Sequence, residues 1–270
     1  MFKHLATATL ILATTIGVSE AMAETGVKLH AAGSLKAAMG EVADMFEAAH
    51  DVKIARTFGP SGLLRERIEQ GEAAEVYASA NMKHPKTLAK AGKAAPVVLF
   101  ARNRLCALAQ PDLDVDTDTL LQVMLDKDIR VGTSTPKADP SGDYAFQVFD
   151  KSEALAPGAT AKLKAKALQL TGGQDSEKAP EGRNTYGWVM ESGKADVFLT
   201  YCTNALLARN EVPGLAIVQL PDGLSVGADY GLTVMQGASR NAWTLAMYIL
   251  SPEGQAILAK YGFDAPGVTN

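Results

Sequence analysis

Three short turns, Ala32-Gly33-Ser34, Gly59-Pro60-Ser61-Gly62 and Asp139-Pro140-Ser141-Gly142, each come after an apolar segment and lead into a stretch with helical periodicity. A chain that repeats strand, tight turn and helix builds parallel sheets, because a parallel return needs a crossover and a helix supplies it. Val27 to Ala31 is predicted as a strand, followed from about Leu35 by a helix with Leu35, Met39, Val42 and Phe46 on one face. Val52 to Phe58 and Val76 to Ser79 continue the strands; helices run from the Ser61 turn to about Gln70 and from Pro85 onward.

The second half repeats the pattern. Val97 to Phe100 and Leu105 to Ala109 are predicted as two strands joined by a polar turn at Arg102-Asn103-Arg104. A helix near Thr119 to Leu125, a strand at Ile129 to Gly132 and a helix from Tyr144 to about Leu155 come next. Thr171 to Arg183 is polar, carries Gly-Gly and a charged run, and is expected as a surface loop. A helix at Thr185 to Ser192, strands at Val197 to Tyr201, Leu215 to Leu220 and Tyr230 to Met235, and helices at Asn241 to Ile249 and from Pro252 complete the order. The fold class is α/β: two halves, each a mainly parallel sheet flanked by helices, split near residues 100 to 109.

Residues 1 to 23 read as a signal peptide, with basic Lys3 and His4, an apolar run from Leu5 to Val18 and the small-x-small site Ala21-Met22-Ala23. The run is short for a bilayer span, which needs about 20 residues. The rest of the chain is long enough for two lobes of roughly 100 to 150 residues each. The formal net charge of -4, with basic residues spread along the chain, excludes a nucleic-acid surface. Cys106 and Cys202 fit no metal motif; in an oxidising compartment they form either one disulfide or two buried thiols, and the disulfide is preferred.

Loops from strand ends to helix starts line the ligand crevice of parallel α/β sheets. Each helix start offers unpaired N–H groups and the positive end of a dipole. Serine adds a hydroxyl and glycine lets the backbone come close, so Ser34, Ser61 and Ser141 together suit a small oxyanion, which presents only acceptors. The plainer alternative for each serine is N-capping. In the second turn, Pro60 leaves the amides of Ser61 and Gly62 free for a ligand. The turns match neither a Walker loop nor a dinucleotide fingerprint, so nucleotide binding is disfavoured. A secreted serine hydrolase is disfavoured as well, since there is no Gly-x-Ser-x-Gly elbow and His30, His50 and His84 form no catalytic motif.

His30-Ala31-Ala32-Gly33-Ser34-Leu35, the Phe58 to Gly62 turn, Glu75-Val76-Tyr77-Ala78-Ser79-Ala80 and Tyr261-Gly262-Phe263 resemble the periplasmic molybdate-binding proteins of ABC transporters, which are type II solute-binding proteins. The resemblance spans nearly the whole mature chain. It implies a two-lobed periplasmic binding protein with crossover strands at the hinge: lobe 1 over 24–104, lobe 2 over 105–228 and a return to lobe 1 over 229–270. It also implies a periplasmic monomer that is not an enzyme, has no cofactor, and delivers molybdate, or tungstate, to a membrane permease.

Matched by motif, the ligand hydroxyls are those of Ser34, Ser61 and Tyr201, and the backbone amide of Ser141 is a further donor. A fifth position falls at or close to Arg183, where the family usually offers only a backbone amide. An inward Arg183 suits sulfate, a phosphate ester or a small organic carboxylate as well; an outward one is a solvent-facing residue before a helix. Asp139 and Asp143 flank the third turn as caps or surface charges; facing the cleft, a carboxylate there repels a dianion or receives a hydroxyl from the ligand. A Cys106–Cys202 disulfide would tether the hinge to the ligand tyrosine.

Overall fold

The computed structural model describes residues 26 to 266, so the signal peptide expected over residues 1 to 23 lies outside the described residues. The first half opens with β1 (Val27–Ala32), a one-turn 3-10 helix (Gly33–Leu35) and α1 (Lys36–His50). Met39, Val42, Ala43 and Phe46 form the buried stripe of α1, at the three- and four-residue spacing that puts side chains on one helix face. β2 (Ile54–Gly59), α2 (Ser61–Glu69), β3 (Val76–Ser79) and α3 (Lys83–Lys90) continue the alternation. β2 and β3 flank β1 in parallel, with Leu29 registered on Arg56 on one side and on Val76 on the other. Five of the six β1 residues are buried, as a strand covered on both faces requires.

β4 (Val98–Ala109) corrects the expectation of two strands and a turn: it is one continuous strand of 12 residues. Arg102, Asn103 and Arg104 pair antiparallel with Asp229, Ala228 and Gly227 of β9 (Gly227–Val234). Leu105 to Ala109 pair instead with β7 (Val197–Tyr201), and Cys106 to Ala109 also with β8 (Ala216–Gln219). The polar residues that suggest a turn mark the place where the strand passes from one set of partners to the other. Asn103 is buried there, between the more exposed Arg102 and Arg104, which is the two-residue alternation of a strand.

The second half holds α4 (Leu120–Leu125), β5 (Val131–Ser134), α5 (Pro140–Ser152), α6 (Ala159–Lys166), β6 (Leu168–Thr171), α7 (Thr185–Glu191) and α8 (Cys202–Glu211). α6, β6 and α8 have no counterpart among the elements expected from sequence. α6 buries only Ala159 and Leu163, and β6 is a four-residue strand with one buried position, so neither leaves a strong period. β5 lies two residues later than predicted, and α5 begins at Pro140 rather than at Tyr144. α9 (Arg240–Leu250) and α10 (Pro252–Lys260) close the chain. Their first turns are capped by Ser239 and Ser251.

The strands run β2-β1-β3-β9-β4-β7-β5-β6, with β8 alongside β4. β1, β2 and β3 are parallel in one half and β5, β6 and β7 in the other; β4 and β9 are the antiparallel strands where the halves join. This mixed α/β arrangement has two halves joined by crossing strands, as the resemblance to two-lobed periplasmic binding proteins implies. Cys106 of β4 and Cys202 at the start of α8 form a disulfide across a sequence separation of 96. Closing a loop of that length restricts the unfolded chain by about 4–5 kcal/mol in the chain-entropy account.

Candidate functional site

A cavity of ≈ 650 Å³ lies between the halves. Ser34, Ser61 and Ala80 line it from one side, Asp139, Tyr186 and Tyr201 from the other, and the segment Gly172 to Arg183 borders it as well. The segment expected as a plain surface loop is therefore part of the cleft wall.

None of the three serines caps its helix. Ser34 lies within the 3-10 turn, Ser61 is the first residue of α2 behind Pro60, and Ser141 follows Pro140 in α5, whose cap is Asp139. Capping therefore does not account for any of the three hydroxyls. Ser34 Oγ is 3.0 Å from Tyr230 Oη, and Asn103 Nδ2 donates to Tyr230 Oη at 3.3 Å and to Thr203 Oγ1 at 2.8 Å. This chain of polar groups runs from the cleft to the crossover strands. Ser61 Oγ is fully buried and accepts from the Ala80 amide at 3.1 Å, so its own proton remains for another acceptor.

Tyr201 stands at the end of β7, 1% exposed, and its hydroxyl donates to Ala80 O across the cleft at a long 3.4 Å. Tyr144 and Tyr230 pack around it at centroid separations of 6.2 Å and 5.6 Å. Burial, then the neighbouring tyrosines, push its phenol well above the ordinary range, which keeps it a neutral donor.

The other expected ligand groups sit differently. Ser141 is fully buried and is not among the lining residues; its amide donates to Asp139 Oδ1 at 3.0 Å, and its Oγ has no partner. The Gly62 amide, expected to be free, donates to Ala138 O at 2.8 Å. Arg183 borders the cavity, but its guanidinium is engaged: Nε donates to Glu211 and Nη2 to Glu191, each at 2.6 Å. Its backbone amide donates to Pro180 O at 3.1 Å. Asp143 turns away to accept from the Lys137 amide at 2.8 Å, while Asp139 lines the cleft itself. Burial raises the Asp139 carboxyl to about 6, and the nearby Asp143 adds to that.

Among the described residues no histidine lines the cavity. Buried His30 is 2.8 Å from Glu72, and buried His84 is pushed down to about 4 by desolvation. A second cavity of ≈ 870 Å³ is bordered by Lys83, Lys86, Arg102, Asp143, Tyr144 and Asp229. Its charges are mixed, and Arg102 is already 3.1 Å from Asp229. Among the described residues, no cluster of histidine, cysteine and carboxylate side chains could hold a metal ion, and no helix is long and apolar enough to cross a membrane. Tyr230 and Asn103, which stand behind Ser34, escaped sequence reasoning because only the pairing of β4 with β9 brings them together, and Ala80, which lines the cavity from the end of β3, escaped it as well.

Residues 27–264 match the family model described as bacterial extracellular solute-binding protein. The chain belongs to that family. It is thus a binding protein of the periplasmic type and not an enzyme. An uncharacterized protein of Pasteurella multocida is 37% identical over 207 residues, 76% of this chain and 86% of the relative. The molybdate-binding protein ModA of Escherichia coli is 26% identical over 258 residues, 90% of this chain and 91% of ModA. Among solved structures, the periplasmic molybdate-binding protein of Azotobacter vinelandii superposes with a TM-score of 0.71 at 20% identity, over 89% of this chain and 99% of that one. This solute-binding protein carries its cleft between two α/β halves joined by crossing strands.

Proposed function

We propose that this solute-binding protein is the receptor of an ABC importer for a small tetrahedral oxyanion, molybdate first and tungstate next. The observation that carries the reading is the convergence of Ser34 and Ser61 from one half and Tyr201 from the other on one cavity. All three are neutral donors, and a fully ionised oxyanion is all acceptor. ModA of Escherichia coli and the Azotobacter vinelandii protein, both molybdate-binding by name, support the choice of ion. Arg183 is left out of the ligand shell in this reading, since two glutamates hold its fork.

Residues 24–104 and 229–270 form one lobe and 105–228 the other, a division supported by the change of β4 partners between Arg104 and Leu105. Ligand contacts from both lobes favour the closed form, which is the form a membrane permease reads. Secretion by the leader at residues 1 to 23 and a monomeric state belong to the same reading. Calorimetric titration with molybdate, tungstate, sulfate and phosphate tests it. Saturable binding of at least one is expected, and the absence of heat with all four removes the proposal.

A further inference from the structure

Asp139 places a carboxylate acceptor in the same cleft as the hydroxyls of Ser34, Ser61 and Tyr201. It caps α5 through Oδ1, which takes the Ser141 amide at 3.0 Å. Its other oxygen, Oδ2, lies 2.5 Å from where a Cβ on Gly172 would stand, so the glycine there, with φ +75, is what admits the carboxyl to the cleft wall. Among the described residues no basic side chain forms an ion pair with Asp139, although Lys36, Lys178 and Arg183 border the same cavity. An ionised carboxylate in that position repels a dianion. A proton between the two turns the same contact into a charge-assisted hydrogen bond.

We propose that the site binds its anion together with one proton shared with Asp139, supplied either by the ligand, as in hydrogen phosphate, or by the Asp139 carboxyl when the anion is fully ionised. This rests on the oxyanion reading above and makes Asp139 its specificity-determining residue. The groups facing Asp139 leave it as the one that titrates. Ser134 of β5, Ser141 of α5 and Gly172 beyond β6 carry no charge, and Asp143 of α5 raises its carboxyl further. Tyr186 of α7 is pushed up to about 12 and Tyr201 of β7 well above its ordinary value, each by burial first, so both stay neutral. The remaining charged lining groups are Lys36, Glu177, Lys178, Glu181 and Arg183.

The test is calorimetry of the mature protein and of Asp139→Asn with sulfate, molybdate and phosphate from pH 6 to 8. For wild type, affinity for sulfate and molybdate is expected to rise nearly tenfold for each unit that pH falls from 8 to 7, the slope for uptake of one proton. At pH 8 phosphate is expected to bind more tightly than sulfate, which has the same shape but no proton. In Asp139→Asn the sulfate and molybdate profiles become flat, affinity for both at pH 8 rises about tenfold or more, and phosphate loses its advantage. Asp139→Ser, a second cap-competent variant, serves the same comparison if the first does not fold. Flat sulfate and molybdate profiles in wild type, or unchanged profiles in the variants, overturn this proposal alone. No binding of any oxyanion to wild type overturns the oxyanion reading, and this one with it.

Discussion

The Gly62 amide donates to the Ala138 carbonyl at 2.8 Å, joining the first turn of α2 in one half to the loop before α5 in the other. A Cβ at position 62 would stand 2.2 Å from Lys137 O and 2.7 Å from Ala138 O. The two halves can approach this closely because residue 62 has no side chain. Gly62→Ala is therefore expected to hinder closure while favouring the helix of the open form by about 0.5–1 kcal/mol. Oxyanion affinity should fall roughly tenfold, about 1.4 kcal/mol, with Tm without ligand unchanged or higher. Small-angle scattering of the ligand-saturated variant should lack the compaction of wild type; equal compaction refutes the steric account.

Tyr201 makes only a long bond to Ala80 O, so its hydroxyl contributes little to the stability of the unliganded protein. Against an anion the same hydroxyl should contribute about 1.5–3 kcal/mol. Tyr201→Phe is expected to leave thermal unfolding nearly unchanged and to weaken oxyanion binding roughly ten- to a hundredfold. Affinity equal to that of wild type in calorimetry would take Tyr201 out of the ligand shell.

Arg183 gives the opposite expectation. Its two ion pairs, with Glu191 and Glu211, are partly exposed, and such pairs contribute about 0–1 kcal/mol. Arg183→Ala should lower Tm slightly and change oxyanion affinity by less than about threefold, which is under 1 kcal/mol. A loss of a hundredfold or more would show that the guanidinium leaves its glutamates for the ligand.

Removal of the Cys106–Cys202 bridge by the double serine substitution should lower unfolding free energy by about 2–5 kcal/mol. Because Cys202 directly follows Tyr201, affinity should fall too, from loss of positional constraint on the tyrosine. Denaturant unfolding checks the first and calorimetry the second; an unchanged unfolding midpoint contradicts the stabilising role.

The Asp139 carboxyl is raised by burial to about 6 in the folded chain, above an unfolded value of about 3.9. The folded state then holds more protons between these two values, so its stability falls as pH rises through that window and the penalty is complete above it. Asn keeps the helix cap and carries no charge. Asp139→Asn is accordingly expected to raise Tm at pH 7.5, by an amount corresponding to at most about 3 kcal/mol, with the gain vanishing near pH 4. A Tm difference independent of pH rules this account out.

Local periodicity determined the α/β class, the order of most strands and helices, and the placing of Ser34 and Ser61 at strand-to-helix junctions and of Tyr201 at a strand end, because these are properties of contiguous segments. The Cys106–Cys202 pairing was legible as a preference between two alternatives, and only the register of Cys106 beside Thr200 brings the thiols together. Tertiary structure alone decided that residues 102–104 run through as a strand, since their partners lie more than a hundred residues away in β9. It also decided where the charges go. Arg183 turns to Glu191 and Glu211, Asp143 to the Lys137 amide, and Asp139 to the cleft wall against Gly172. A charged side chain follows whichever partner satisfies it, and those partners come from distant segments that no local pattern specifies.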